Sequence, residues 1–557
     1  MLAAEFLADA LVELGIRHVF GVGGANIEDV FVAIQRRRPK IRVVLAKHEH
    51  GAGTAADAYA RISGRLGVVL ATSGGGALNL THALAEARAS RVPLLAVVGD
   101  PPTPLQGRGA FQDTSGRGLV DSCAVYERTA KFCARVEDAG ELPRLLAEAV
   151  RSATSSPAGP AVLLLAKDRQ RAEVAPALHG ELPVPAPPGP CADDVERAAK
   201  RLDDAPVVVI AGDEVARTHA RAELVALVRR LDALVAVTPD GRDAFENLDR
   251  RFLGVAGSMG HASVSRAVAA ASTVLLAGTR LPLLARQGLE PLIAERNLIS
   301  VACEPPFVES PSTLHLPGNL PLCLSALAHA LRPRPETHAP PAPPETSSDA
   351  FGGAPELDLR SALRAVDRAI PAGSVVLVDA GNTGAAAAHV VRAPSEGRWL
   401  LALGMAGMGY SFGGAIGAAL ASGQRCFVLA GDGAFFMHGM EVHTALQHAL
   451  PITFVVFDNR AHGMCLVRER LLLKTDAGYN SFGRSSLGAG LSAMFPGLLA
   501  TDCSTRGELE EALGRAVRHE GPSFLGVSLR SVEVPPFAAF QEAGGRPFSA
   551  LPMGEPA

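Results

Sequence analysis

The chain carries no surplus of positive charge: its 557 residues hold 53 Lys+Arg against 57 Asp+Glu, a formal net charge of −4. With no basic field to grip phosphates, neither a nucleic acid nor an anionic membrane surface is expected as a partner. There is no C-x-x-C pair either. The eight cysteines (123, 133, 191, 303, 323, 426, 465 and 503) stand far apart, which argues against a zinc or disulfide framework and suits reduced thiols in a cytoplasmic protein. The first residues, MLAAEFLADALVELG, lack the early positive charge of a targeting segment, and Glu5, Asp9 and Glu13 interrupt their apolar run. Leu2, Phe6, Leu7, Ala10 and Leu14 recur at helical spacing, so an amphipathic surface helix is expected there. One long stretch is free of charge, Trp399 to Gly423, and on paper it could cross a bilayer. Glycines at 404, 407, 409, 413, 414, 417 and 423 make it poor helix material. It is read instead as buried chain packed closely against a ligand.

What is present is a set of short, β-branched apolar runs alternating with helical patterns. The runs are 41–46, 66–72, 93–99, 160–166, 206–212, 272–278, 374–381, 426–432 and 452–458. Such strands, separated by helices, form parallel sheets covered on both faces. Two proline-rich stretches, 174–190 and 332–355, read as linkers. The expected architecture is therefore α/β, with three doubly wound parallel-sheet domains at 1–173, 191–331 and 356–535 and a tail at 536–557. Ligands of such sheets lie at the carboxyl ends of the strands.

The most specific signal is GDGAFFMHGMEVHTALQHALPITFVVFDN, 431–459. A strand delivers Asp432 into a glycine-flanked turn, a helix of roughly 438–448 follows, and a second strand delivers Asn459. If the strands are neighbours in a right-handed βαβ unit, both oxygen ligands lie on one rim. Magnesium takes octahedral oxygen ligation of this kind, completed by phosphate and water. Alone, G-D-G is also a common turn.

This stretch resembles the diphosphate-binding motif of the thiamine-diphosphate-dependent enzyme superfamily. The resemblance implies that Asp432 and Asn459 ligate Mg²⁺ by side chain and Ala461 by its carbonyl, and that Gly433, Ala434, Gly463 and Met464 lie against the cofactor. Asp458 replaces the family's usual Asn at a non-ligating position. In VVLAKHEHGAGTAADAYARISGRLGVVLATSGGGALNL, 43–80, Glu49 taken alone is a helix-start carboxylate facing the helix dipole. The segment, however, is similar to the pyrimidine-binding domain of acetohydroxyacid (acetolactate) synthases. That likeness makes Glu49 the catalytic carboxylate that shares a proton with the cofactor's aminopyrimidine ring, with Gly23 and Asn79 also at the cofactor. GMAGMGYSFGGAIGAAL, 404–420, is similar to the family's glycine-rich segment, in which Gly407 allows close approach and Met408 is a wedge that bends the cofactor; methionine as core filler is the plainer alternative. DAGNTGAAAA, 379–388, looks like the family's diphosphate loop, with Asn382 and Thr383 in place of Gln-His.

The resemblance runs collinearly over roughly 1–530 and places Ala25 of FGVGGAN, Phe111 and Gln112 of GRGAFQDT, and Lys131 near the substrate channel. FGVGGAN lacks the third glycine of a dinucleotide fingerprint. In this family the ring-binding and diphosphate-binding domains meet across a subunit interface, which implies a homodimer or homotetramer.

The likeness frays in two places. The synthases' flavin stretch, G-x-R-F-D-D-R, is GTRLPLLAR at 278–286 here, without either aspartate, so FAD is not expected. After Asn459, Arg468 stands where the synthases have a tryptophan, and His462 replaces an aliphatic residue on the acceptor side. The activity implied is decarboxylation of a 2-oxo acid, by default pyruvate, with transfer of the acyl unit to a carbonyl acceptor. A non-ligating decarboxylase, a flavin-linked 2-oxo-acid oxidase and an inactive cofactor-binding subunit remain alternatives. The retained Glu49, Met408, Asp432 and Asn459 speak against the last.

Overall fold

The computed structural model describes residues 1–175, 188–203, 206–335 and 357–551. The stretches read as linkers lie largely outside the described residues. The apolar runs become strands of three six-stranded sheets in which every neighbouring pair is parallel. A strand buried on both faces must be apolar at every position, and β4, β6 and β16 below are buried throughout.

The first sheet has the order β2-β1-β3-β4-β6-β5. Its strands are β1 (His18–Gly21), β2 (Arg42–Leu45), β3 (Gly67–Ala71), β4 (Leu94–Asp100), β5 (Phe132–Arg135) and β6 (Pro160–Ala166). The second comprises β7 (Val207–Ala211), β8 (Leu234–Val237), β9 (Phe252–Val255), β10 (Thr273–Ala277), β11 (Asn297–Val301) and β12 (Leu314–Leu316), ordered β12-β11-β10-β7-β8-β9. The third comprises β13 (Val375–Val378), β14 (Arg398–Leu401), β15 (Cys426–Gly431), β16 (Ile452–Asp458), β17 (Leu499–Cys503) and β18 (Ser523–Ser528), ordered β14-β13-β15-β16-β18-β17. In each sheet the chain winds outward from one central strand and then crosses to its other side. The switch points fall between β1 and β3, β7 and β10, and β13 and β15. A crevice forms at the carboxyl ends of strands at such a point.

The described chain forms two compact units. The first takes the described residues of Met1–Pro185 together with Ala402–Gly423 and Met437–Leu450; the second takes those of Ala186–Leu401, Gln424–Phe436 and Pro451–Ala557. The N-terminal helix spans Ala3–Glu13 and buries Phe6, Leu7 and Ala10 of the expected face together with Leu11, while Leu2 is exposed and Leu14 half-buried.

Within the first unit, the helix Glu49–Ser63 packs against the helix Tyr410–Ser422. Here the sequence expectation needs correction. The glycines of the uncharged stretch do not make it poor helix: half of it is a regular helix, and Gly413 and Gly417 accept another helix. An added Cβ at Gly413 would strike Thr54 and Gly51, and one at Gly417 would strike the Ala55 carbonyl. Tertiary contact overrides the weak helix propensity of glycine. A buried polar network sits alongside. Arg61 Nε donates to Asp57 at 2.6 Å, its Nη2 reaches Glu86 at 3.2 Å, and the Tyr410 hydroxyl donates to Asp57. Glu86 also accepts from the Met405 amide at 2.6 Å and the Gly404 amide at 3.2 Å. Breaking such a buried ionic set by removing one partner costs about 3–5 kcal/mol.

In the second unit, Asp243 collects Arg221 and Arg398, each at 2.7 Å, and the Trp399 amide at 3.1 Å. The tail is packed where described: Ala538 donates its amide to the Ser258 carbonyl at 2.7 Å, and Phe540 is buried. No described helix is long and apolar enough to cross a membrane.

Replacing Gly417 by Val is expected to force the two helices apart. The thermal midpoint should fall by about 5–10 °C, the scale of a few kcal/mol of overpacking. A melt superimposable on the wild type would contradict the close approach.

Candidate active site

In the first unit, three loops meet around the switch point of the first sheet. After β1 the chain turns through Gly23 and Ala25, both exposed, to Asn26, whose amide donates to Thr72 Oγ1 at 3.3 Å and whose Nδ2 donates to Ser73 Oγ at 2.7 Å. After β2, Glu441 fixes the turn by accepting from the amides of Lys47 at 2.9 Å and His48 at 3.2 Å. Glu49 is then the first residue of its helix, and its side chain is almost fully buried. Its Oε2 accepts from Asn79 Nδ2 at 3.0 Å. After β3, Gly74 has φ +69 and lies under the Gln112 side chain; its amide donates to Thr114 Oγ1 at 3.3 Å. The structure thus brings Glu49 and Asn79 together, with the Gly23–Asn26 and Gln112 loops beside the segment Thr72–Asn79. Phe111, next to Gln112, is 74% exposed, so it is not a core aromatic.

Lys131 is not part of this gathering. It precedes β5, at the amino ends of the strands and so on the opposite rim. Its ammonium donates to the carbonyls of Pro157 at 2.6 Å and Ser155 at 2.9 Å. In this structure it braces the 155–159 turn.

Gly407 and Met408 lie just before the Tyr410 helix, with Met408 half-buried. An added Cβ at Gly407 would strike the His82 ring, and one at Gly409 the His438 ring. His50 lies between them, its ring centroid 4.7 Å from that of His82 and 4.2 Å from that of His438. Burial first, then His438, pushes His50 down to about 2, so His50 is neutral at ordinary pH. Neither Glu441 nor the histidines were legible as site residues in the sequence, since their roles depend on contacts between distant segments.

In the second unit, the switch point of the third sheet gathers the other predicted residues. Asp432 follows β15 directly and, contrary to the expected turn, opens a short helix, Asp432–His438; the expected helix of 438–448 is a second one, Glu441–Gln447. Asp432 is 1% exposed. Its Oδ1 accepts from the Gly433 amide at 2.9 Å and its Oδ2 from the Ala461 amide at 3.2 Å, while Asn459 Oδ1 accepts from the same Ala461 amide at 3.2 Å. Gly463, the first residue of the helix Gly463–Leu471, faces the Asn459 and Asn382 amides; any side chain there would collide with both. Asn382 opens the helix Asn382–Val390, donates to the Glu533 carbonyl at 2.9 Å, and keeps a buried Oδ1 with no partner. An added Cβ at Gly431 would meet only Thr383 Oγ1, at 3.5 Å. Asp432, Ala434, Asn459, Ala461, Asn382 and Thr383 are all buried here, with Met464 half-buried next to Gly463.

Helix N-termini at Asn382, Asp432 and Gly463 present amides to one rim, a setting suited to phosphate oxygens. Burial, followed by the neighbouring Asp458, pushes Asp432 up to about 8. A carboxylate compressed in this way is relieved by a cation. Among the described residues no group of three His, Cys, Asp or Glu side chains could hold a metal. A cation at Asp432 would therefore take amide, carbonyl and phosphate oxygens, the set that Mg²⁺ accepts. The residues present fit a magnesium diphosphate.

At the second sheet's switch point the loops pack closely: an added Cβ at Gly212 would strike Thr279, and one at Gly241 would strike Gly212. Arg280 of the 278–286 segment lies 3.8 Å over the Phe307 ring and reaches Glu304 at 3.4 Å. On the Gly463 helix, Arg468 is exposed, while the half-buried His462 ring packs edge-on against Phe482 at 4.7 Å.

Comparison with known proteins agrees with this arrangement. Residues 1–119 match the thiamine pyrophosphate enzyme N-terminal TPP binding domain, 195–327 its central domain and 379–527 its C-terminal TPP binding domain. The chain belongs to the thiamine pyrophosphate enzyme family. Within it, the chain is similar to the acetolactate synthase isozyme 2 large subunit of Escherichia coli (28% identical, 97% of this chain and 99% of the relative). It is also similar to the chloroplastic acetolactate synthase of Arabidopsis thaliana (26%, 94% and 81%). The crystal structure of benzoylformate decarboxylase from Polynucleobacter necessarius shares the fold, with a TM-score of 0.82 at 20% identity over 95% of this chain and 98% of that one.

The raised pKa of Asp432 has a consequence in the cation-free protein. Its folded value lies above the ordinary carboxyl value of 3.8, so between about pH 4 and 8 the folded chain holds a proton that the unfolded chain has lost. This group's contribution to stability therefore falls as pH rises through that window. With a chelator present, Asp432→Asn should flatten the decline in thermal midpoint between about pH 5 and 8. An unchanged slope would contradict the assignment.

Proposed function

We propose that the chain is an Mg²⁺- and thiamine-diphosphate-dependent carboligase that decarboxylates a 2-oxo acid, pyruvate by default, and transfers the acyl unit to a carbonyl acceptor. The observation that carries this reading is the oxygen set of Asp432, Asn459 and Ala461 on a rim of helix N-termini. The names of the similar acetolactate synthases support the reaction class.

When bound, the cofactor supplies the nucleophilic carbon and the electron sink for loss of CO₂. The chain's own residues do the rest. Asp432 and Asn459 offer side-chain oxygens to Mg²⁺ and Ala461 its carbonyl. The amides at Gly433, Thr383 and Gly463 favour the diphosphate charge. Glu49 would exchange a proton with the cofactor ring, and the Asn79 amide fixes the orientation of its carboxyl. Met408 shapes the bound cofactor, and Gly407 admits its segment against His82. No stoichiometric flavin belongs to this reading, which rests on the absence from 278–286 of both aspartates of the synthases' flavin stretch. A flavin band in the purified protein would favour an oxidase instead. A homodimer or homotetramer is the assembly inferred from resemblance to the synthases. A cytoplasmic setting fits the free cysteines.

Glu49→Gln should leave the fold and cofactor binding intact and slow turnover by about 10²–10⁴-fold, the scale of lost proton-transfer catalysis. Near-wild-type turnover with bound cofactor would remove Glu49 from the mechanism.

On the acceptor side, the exposed Arg468 offers a planar cation suited to carboxylates and other anionic groups. Incubation with pyruvate, Mg²⁺ and cofactor, with 2-oxobutyrate competing against anionic or polyhydroxylated carbonyl acceptors, identifies the product by mass spectrometry. Anionic acceptors should win by roughly ten- to a hundred-fold, the value of one charge-assisted hydrogen bond, and lose that advantage in Arg468→Trp. Equal preference in the two proteins would place Arg468 outside the acceptor site, and CO₂ release without a ligated product would identify a simple decarboxylase.

A further inference from the structure

Two of the eight cysteines, ten residues apart in sequence, meet in the first unit. Cys123 Sγ lies 3.2 Å from Cys133 Sγ. A disulfide needs about 2.05 Å, so a movement of roughly 1 Å would close one. Cys123 is near the start of the helix Ser122–Thr129 and Cys133 is on the edge strand β5; both are half-buried, within reach of a small reagent. The two elements are already registered by a second contact. Asp121 accepts from the Cys123 amide at 2.9 Å and from Arg135 Nη2 at 3.2 Å, and Arg135 lies two residues beyond Cys133 on the same face of the strand. The helix therefore meets the strand with the two thiols facing each other. Their hydrogen bond lowers the Cys123 thiol, while Asp121 and Glu127 oppose that shift.

The same helix is tied to the Glu49 carboxylate. One turn after Cys123, the Tyr126 hydroxyl donates to the Ala77 carbonyl in the first turns of the helix Gly75–Ala89. Two residues further on, Asn79 donates to Glu49. The helix start also holds the Gln112 loop, since Ser122 donates both its amide and its hydroxyl to the Thr114 carbonyl.

We propose that Cys123 and Cys133 form a reversible dithiol–disulfide site, oxidised by low-molecular-weight disulfides, whose state is transmitted through Tyr126 to the Asn79–Glu49 bond. The Cys123 thiolate attacks one sulfur of the small disulfide, breaking its S–S bond, forming a mixed disulfide and releasing one small thiol. The Cys133 thiolate then attacks the Cys123 sulfur, forming the protein disulfide and releasing the second small thiol. Two protein thiols are oxidised and one external disulfide is reduced. The meaning of the coupling rests on the role proposed for Glu49, but the pair's chemistry does not.

The test uses the full chain treated with oxidised glutathione, alkylated, and mapped by peptide mass spectrometry, with amide hydrogen exchange measured in parallel. A Cys123–Cys133 cross-linked peptide is expected as the dominant disulfide, reversed by dithiothreitol. In Cys133→Ser, glutathione should be trapped on Cys123, and in Cys123→Ser the cross-link should vanish. Exchange of peptides covering 75–81 should slow at least three-fold on oxidation of the wild type and not of either variant. Free, alkylated Cys123 and Cys133 after oxidation, glutathione trapped elsewhere, or a cross-link that leaves exchange at 75–81 unchanged would each overturn the proposal. None of these readouts involves turnover, so they stand apart from the test of Glu49 in catalysis.

Discussion

The close approach of two helices governs the first unit. The helix beginning at Glu49 and the helix Tyr410–Ser422 touch backbone to backbone, because Gly413 meets Gly51 and Thr54, and Gly417 meets Ala55. Any larger residue would push them apart. Their approach brings Tyr410 onto Asp57 and holds the Gly404–Met405 amides on Glu86, with Arg61 paired to both carboxylates. The glycine segment that carries Met408 is thereby fixed relative to the helix that starts with Glu49. The cost of burying four ionisable groups is offset by pairing every one of them.

The second unit repeats the same economy at a different place. A parallel sheet needs no residue chosen for function to create a crevice at its switch point; the winding of the chain does it. What distinguishes the third sheet is the pressure placed on one carboxylate. Asp432 is buried, next to Asp458, and met by two amides that only partly compensate it. The second sheet has the same winding, and there Gly212 packs on Thr279 and Gly241 on Gly212. The candidate residues lie at the other two switch points.

Much of this was legible in the sequence, for identifiable reasons. The nine apolar runs became β2, β3, β4, β6, β7, β10, β13, β15 and β16, most of them buried on both faces and so marked by a continuous apolar pattern. The half-exposed edge strand β5 carries no such pattern, whereas β2, four residues long and largely exposed, was still marked by its run 41–46. Asp432, Asn459 and Glu49 could be read because each follows a strand directly. Glu441, His82 and the Cys123–Cys133 pair were invisible, since their contacts join segments whose proximity no local pattern records.

The central claim is that the chain holds thiamine diphosphate through a cation at Asp432. Titration calorimetry of the full chain with thiamine diphosphate measures this directly, with Mg²⁺, with chelator, and in Asp432→Ala. The account predicts about one cofactor bound per chain when Mg²⁺ is present and loss of measurable binding in the other two conditions, because Asn459 and one carbonyl cannot anchor a metal diphosphate alone. Equal affinity with and without Asp432 would contradict it.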